Sequence, residues 1–432
     1  MIVSDPMSIP VAPGPISGRV TLPGSKSFTN RALPIAALAT GVSTIHGALD
    51  SDDTRYMVAA LQELGIAVEA DWNTGTILVS GANGVIPATE ADLFLGNSGT
   101  SMRFLTALVA LGVGRYRLDG NDAMRTRPIG PLIEGLRSMG VDVNELGAPG
   151  CPPLEIVTNG LPGETVVMPG DLSSQYFSAL AMVAPYARGA MEIVVEGELV
   201  SKPYIDLTAD AMAAFGVTLR HDKYQRIWVE PDQKYHATEY NVEPDASAAS
   251  YFFALAAVTG GSITVERLPS SSAQGDTGFV DVLESMGCRV DRGRQDITVR
   301  GPDKLQGVDV DMNAISDTVM TLAAIAPFAN CPTTIRNIGH IRLKETDRLT
   351  ALATELGRLG IATNETPDSL TIYPGEPQPA IVQTYDDHRI AMSYAITGVK
   401  APGIRIADPM CVRKTVPRFW DILFGLIEPS RD

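Results

Sequence analysis

The chain has 432 residues, 45% of them hydrophobic and 19% charged, with a formal net charge of −16. This describes a globular chain with apolar side chains enough for a large core, and its acidity argues against nucleic acid or an anionic membrane as a partner. Any cluster of Lys and Arg in the loops runs against that background and is informative for that reason. The four cysteines, Cys151, Cys288, Cys331 and Cys411, show no C-x-x-C spacing and no companion His cluster. A reduced cytoplasmic setting without structural zinc is the plain expectation. Residues 1–15 lack a basic n-region and carry prolines, unlike a signal peptide. The uncharged run 318–335 contains Pro327, Asn330 and Pro332, which suits a buried helix and strand rather than a membrane span.

In chain order, Ser8–Val11 and Ile16–Leu22 read as extended, proline-punctuated segments. Pro23-Gly24-Ser25-Lys26-Ser27-Phe28-Thr29-Asn30-Arg31 then opens a helix. Lys26 and Arg31 flank its start, where hydroxyls, backbone N–H groups and two cations can converge on one anion. The glycine spacing does not fit a P-loop. The strand Asp92–Leu95 runs into Gly96-Asn97-Ser98-Gly99-Thr100-Ser101-Met102-Arg103 and an apolar helix, Met102–Leu111. Small residues there let a ligand approach free N–H groups at a helix start. Asn121 to Ile129 forms a basic turn with Arg125 and Arg127 before the helix Ile129–Met139. Ser173, Ser174 and Gln175 offer two hydroxyls and an amide, and Ser201 and Tyr204 flank a further helix start. For each of these the bland alternative is a capped or solvated helix end.

The second half is more acidic at the same places. Glu243, Asp245 and Asp317 stand before helices, where carboxylates cap well, although Asp317 beside cations could also move a proton. Arg342-Leu343-Lys344-Glu345-Thr346-Asp347-Arg348 is the densest charged stretch and precedes an amphipathic helix over Thr346–Leu359. Tyr385-Asp386-Asp387-His388-Arg389 and Cys411-Val412-Arg413-Lys414-Thr415 complete the set. His388 could equally be a structural histidine.

A layout of polar helix start, Ala-rich helix and β-branched strand recurs at Ser27, Gly99, Ser174, Ser247, Asp317 and Asp387, in steps of 72, 75, 73, 70 and 70 residues. A second series of amphipathic helices ends at Gly65, Gly140, Gly216, Gly287, Gly360 and, less clearly, Gly425. One sixth of 432 residues is 72, so the repeat accounts for the whole length. Six βαβαββ-like units are expected, packed as two sets of three because a single core of six would exceed ordinary domain size. The domains expected are residues 25–243, and residues 1–24 with 244–432. The last unit stops after its second helix, and both N-terminal strands are expected to complete it. Two chain crossings would form a hinge, and a hinge suggests a cleft that closes.

Together these stretches resemble the enolpyruvyl transferase family of 3-phosphoshikimate 1-carboxyvinyltransferase, or 5-enolpyruvylshikimate-3-phosphate synthase, from about Ile9 to Phe424. The resemblance implies a two-domain, inside-out α/β barrel fold with three units per domain. It implies a cytoplasmic, monomeric transferase of the shikimate pathway, which makes aromatic amino acids and is the target of glyphosate. It implies a shikimate 3-phosphate site of Lys26, Ser27, Arg31, Ser173, Ser174, Gln175, Ser201, Tyr204, Asp317, His340 and Lys344. The implied phosphoenolpyruvate site is Lys26, Gly99, Arg127, Gln175, Arg348, His388, Arg389 and Lys414. In the implied addition and elimination, Asp317 takes the 5-hydroxyl proton and Glu345 gives and retrieves the carbon proton, with Lys26 sharing the traffic. Neither metal nor organic cofactor is required. Phe104 stands where the family commonly has proline, Ser98 and Ser101 where alanines are common, and His340 where some members have asparagine. The alternatives are transfer to UDP-N-acetylglucosamine, for which a cysteine loop is expected, and a non-catalytic anion-binding protein.

Overall fold

A computed structural model describes residues 4–230 and 232–428. It comprises two compact units: lobe 1 is Gly24–Glu243, and lobe 2 joins Met1–Pro23 to Pro244–Asp432. Residues 1–3 and 429–432, which the sequence assigns to the second domain, lie outside the described residues. Lobe 1 holds helices α1 (Lys26–Leu38), α2 (Asp52–Glu63), α3 (Gly99–Val109), α4 (Gly130–Ser138), α5 (Ser174–Val183) and α6 (Pro203–Ala214). Lobe 2 holds α7 (Ala246–Thr259), α8 (Phe279–Ser285), α9 (Val319–Ile325), α10 (Arg348–Arg358), α11 (His388–Lys400) and α12 (Phe419–Ile427).

Among the described residues each lobe has three small sheets, and the third repeat shows their plan most simply. Thr165–Pro169 and Glu192–Glu196 pair in parallel across α5, and after α6 the strands Leu219–Asp222 and Arg226–Val229 add antiparallel. Val166 and Met168 are buried while Val167 between them is exposed, so the sheet has one core face and one solvent face. The first helix of each repeat is of another kind. Every residue of α3, α7 and α9 is buried, as is α1 from Phe28 to Leu38. A helix that is apolar all round belongs in the interior. Within lobe 2, α7, α9 and α11 pack on one another, and within lobe 1 α3 packs on α1 and α5. Helices inside and sheets outside make the inside-out α/β arrangement, with alanines letting the central helices approach closely.

Gly65, Gly140, Gly216, Gly287 and Gly360 follow the second helices with φ of 82°, 80°, 89°, 97° and 75°, a conformation in which a side chain would be strained. Gly425 differs: it lies inside α12 and does not mark a helix end.

The N-terminal strands do not both complete the sixth unit. Met7–Ser8 does, pairing antiparallel with Ile404–Ile406, whose other neighbour is the parallel strand Ala380–Val382. Ser17–Val20 instead lies parallel to Ser262–Val265, as the first strand of the fourth unit. Each unit needs a strand before its buried helix, and the stretch before α7, Glu239–Asn241, is already taken by the first unit, parallel to Thr40–His46. The strand ahead of each crossing therefore completes the lobe that the chain is leaving.

Candidate functional site

In lobe 1, Ser25, Ser98 and Ser173 cap α1, α3 and α5 by accepting from the N–H groups of Phe28, Ser101 and Gln175. Neutral caps leave the positive end of each helix without a compensating charge. Lys26, the first residue of α1, holds its ammonium 3.7 Å from the Asp53 carboxylate. Arg31 lies deeper and is 1% exposed. Its Nε donates to Thr208 Oγ1 at 2.8 Å, Nη1 to the Ser27 carbonyl at 3.1 Å and Nη2 to the Tyr204 carbonyl at 3.3 Å. The rings of Phe104 and Tyr204 lie 5.1 and 5.8 Å from its guanidinium carbon. Burial against these neutral partners pulls the guanidinium down to about 10, still charged near neutral pH, and an anion brought near it would raise that value again.

Gly99 begins α3 in a space that two guanidinium groups border. A Cβ there would lie 2.6 Å from both Arg103 Nη1 and Arg127 Nη2. Arg127 donates to the main-chain and side-chain oxygens of Asn97 at 3.1 and 3.2 Å. Arg103 donates to the Gly99 carbonyl and to Gln175 Oε1, both at 3.1 Å, and Gln175 Nε2 donates to Thr100 Oγ1 at 3.3 Å. The starts of α3 and α5 are thus tied through one amide. Ser174 and Ser201 are buried, and Ser201 is held at φ 53°.

In lobe 2 the centre is Arg348, the first residue of α10, 1% exposed. It reaches three carboxylates: Nε donates to Asp387 at 2.8 Å, Nη1 to Asp317 at 3.1 Å and Nη2 to Glu345 at 2.8 Å. Asp317 also accepts from Arg389 Nη2 at 2.8 Å, and Glu345 lies 3.1 Å from Lys414 Nζ. Each of these two acids therefore bridges two cations. Burial opposes ionisation of Asp317, but Arg389, Lys344 and Arg348 outweigh it and hold the carboxyl well below the usual carboxylate range. Burial and the Lys344 charge push His340 down to about 3, leaving it neutral. His388, fully buried at the start of α11, has Nδ1 3.6 Å from Asp387 Oδ1.

The expected residues thus divide between the lobes, with Lys26 to Tyr204 in lobe 1 and Asp317 to Lys414 in lobe 2. Of the two arginines in the basic turn, Arg125 is a surface residue paired with Asp119 at 2.9 Å, while Arg127 is buried. Asp245 is a cap, accepting from Ala248 N at 2.8 Å. The sequence assigned no site role to Arg103 or Asp53 and did not show the pairing of Asp387. A lone arginine in the apolar run of α3 was the available sign of the first; Asp387 could be seen only as a helix start. Among the described residues no group of three or more His, Cys, Asp or Glu is placed to hold a metal ion, and no helix is long and apolar enough to cross a membrane.

Two triplicated lobes with cation-rich helix starts define the enolpyruvyl transferase class of fold, and solved members share it. The enolpyruvyl transferase NikO from Streptomyces tendae is 19% identical with a TM-score of 0.76, covering 96% of each chain, a likeness of fold. EPSP synthase from Acinetobacter baumannii is 25% identical with a TM-score of 0.81, covering 97% of each chain. The family model for EPSP synthase (3-phosphoshikimate 1-carboxyvinyltransferase) matches residues 11–423. The 3-phosphoshikimate 1-carboxyvinyltransferase of Nostoc punctiforme is 48% identical over 424 residues, covering 98% of this chain and 100% of that one. The chain belongs to the EPSP synthase family.

Proposed function

We propose that the cations and carboxylates described above carry the family's reaction in this chain. It is a transferase that moves the enolpyruvyl group of phosphoenolpyruvate to the 5-hydroxyl of shikimate 3-phosphate and releases phosphate, in the shikimate pathway. The observation that carries the assignment of roles is the Arg348 centre, where Asp317 and Glu345 each lie between two buried cations. Both substrates are anions, and two unit charges about 4 Å apart repel by roughly 4 kcal/mol even at an effective dielectric near 20. Several fixed cations are needed to hold them together.

Lys26, Ser27, Arg31, Ser173, Ser174, Gln175, Ser201, Tyr204, His340 and Lys344 hold shikimate 3-phosphate in this scheme. Asp317, kept ionised by its arginines, is ready to accept the 5-hydroxyl proton as the oxygen attacks C2 of phosphoenolpyruvate. Glu345, beside Lys414, gives a proton to C3 in the addition and takes one back in the elimination, with Lys26 sharing the proton traffic. Arg127, Arg348, Arg389 and Lys414, with Gly99, Gln175 and His388, hold phosphoenolpyruvate and stabilise the departing phosphate. The four free cysteines support a reducing, cytoplasmic setting, and a monomer is the working form proposed. Phosphate release is to be measured with phosphoenolpyruvate and either shikimate 3-phosphate or UDP-N-acetylglucosamine. Turnover with the first acceptor is expected, and turnover with only the second would overturn the assignment.

A further inference from the structure

One buried acid in lobe 2 has no part in the scheme above. Asp276 lies in the turn Gly275–Gly278 that leads into α8, and it is 6% exposed. Ser247, near the start of α7, donates its hydroxyl to Asp276 Oδ2, while Oδ1 is equally buried and has no hydrogen-bond partner. A buried charge in that condition is costly, because it has left water without full replacement of its hydrogen bonds. The turn packs on Asn313–Thr318, which carries Asp317, and on α7. Of the charges on these and neighbouring elements, those of Asp317, Arg389 and Asp245 act on Asp276, while Asp281 on α8 is 69% exposed. Arg389 already donates to Asp317. Two carboxyl groups therefore lie in the field of one guanidinium.

We propose that Asp276 is a positioning residue for Arg389: protonated, it leaves the guanidinium to Asp317 and the substrate phosphate, and ionised, it competes for that guanidinium and weakens the hold on phosphoenolpyruvate. The proposal rests on the role assigned to Arg389 above. The only chemical step is loss of the carboxyl proton to solvent. Burial, then the charge of Asp317, pushes Asp276 up to about 7, so the group is neutral below that pH and charged above it.

The KM for phosphoenolpyruvate is to be measured from phosphate release at saturating shikimate 3-phosphate, for the parent and Asp276→Asn, at about pH 6 and about pH 8.5. Ionisation of the ligand is common to both proteins and cancels in their ratio. The ratio should be near one at the lower pH, with the variant's KM about three- to tenfold lower at the higher. Equal weakening at both pH values, as a structural role would give, overturns the proposal. Infrared spectra of the parent should contain a buried carboxylic acid band that fades near pH 7 and that Asp276→Asn lacks. A band unchanged from about pH 6 to pH 9, or no band to lose, also overturns it. If Asp276→Asn does not fold, Ser247→Ala decides: it removes the hydrogen bond to the charged form, so the band should fade at higher pH than in the parent, and an unmoved band overturns the proposal. Should the parent release no phosphate from the two substrates, the functional reading fails, while the infrared titration still decides the state of Asp276.

Discussion

Asp317 and Glu345 are both bonded to Arg348, yet their second cations differ, Arg389 for one and Lys414 for the other, and the mechanism proposed above gives them different protons. Asp317→Asn keeps an acceptor oxygen beside both arginines but cannot take a proton. Its kcat should fall by about 10²-fold or more while calorimetry still detects shikimate 3-phosphate; a variant with parental kcat would remove Asp317 from the mechanism. His340 allows a test without substrate. Its imidazole is held near 3 in the folded chain against 6.5 when free, so the folded state resists a proton that the unfolded chain accepts. Its unfavourable contribution is absent above about pH 6.5 and grows as pH falls toward 3. His340→Asn should match the parent in urea unfolding at about pH 7 and be more stable by about 2 kcal/mol at about pH 4.5. Asp317 is shifted the other way in its effect on ionisation, and its stabilising part is present above about 3.8 and lost as pH falls below it, so a measurement at about pH 4.5 lies clear of it. At this scale the sequence showed which residues carry charge and not how they pair. Arg125 and Arg127 flank one turn and looked alike, and Asp387 is 39 residues from Arg348, so only the folded chain selects them.

The helix starts of the two lobes use different caps for the same geometry. Serines cap α1, α3 and α5, whereas aspartates cap α7 and α11. A serine satisfies the first N–H groups and leaves the helix dipole to attract an anion; an aspartate satisfies them and neutralises it. This contrast was visible in the sequence because capping is local, as were the second-helix ends at five glycines. What local pattern could not supply was the inside of α12, where Gly425 continues a helix that starts only at Phe419. Gly99 separates the two demands on a helix start. Alanine there is the better helix former by up to about 1 kcal/mol. Its Cβ would meet the guanidinium ends of Arg103 and Arg127 at 2.6 Å, so those groups must move. Gly99→Ala should therefore melt at or above the parental temperature while KM for phosphoenolpyruvate rises by about tenfold. An unchanged KM would separate these arginines from the substrate site.

Across the molecule, the repeat of about 72 residues was legible because each unit carries its own buried helix and its own glycine-ended one, but the exchange of strands at the crossings was not. Pairing between Ser17–Val20 and Ser262–Val265 spans more than half of the chain, and short strands of such composition would suit several sheets. The exchange fixes what each lobe needs in order to fold. Lobe 1 takes every strand of its three sheets from Thr40–His46 to Glu239–Asn241, so a fragment of residues 24–243 should fold alone, with a single cooperative transition by circular dichroism in urea. A fragment of residues 244–432 lacks Met7–Ser8 and Ser17–Val20, leaving unpaired edges on the sheets of its first and last units, and should not reach a native-like transition. Within lobe 2 the Asp245 N–H donates to the Pro23 carbonyl at 3.1 Å, so the two segments can be joined there by a short glycine link. The chain 1–23–link–244–432 should then recover the cooperative transition that 244–432 lacks. If 244–432 unfolds as cooperatively without the N-terminal strands as with them, those strands are passengers on lobe 2 and not parts of its core.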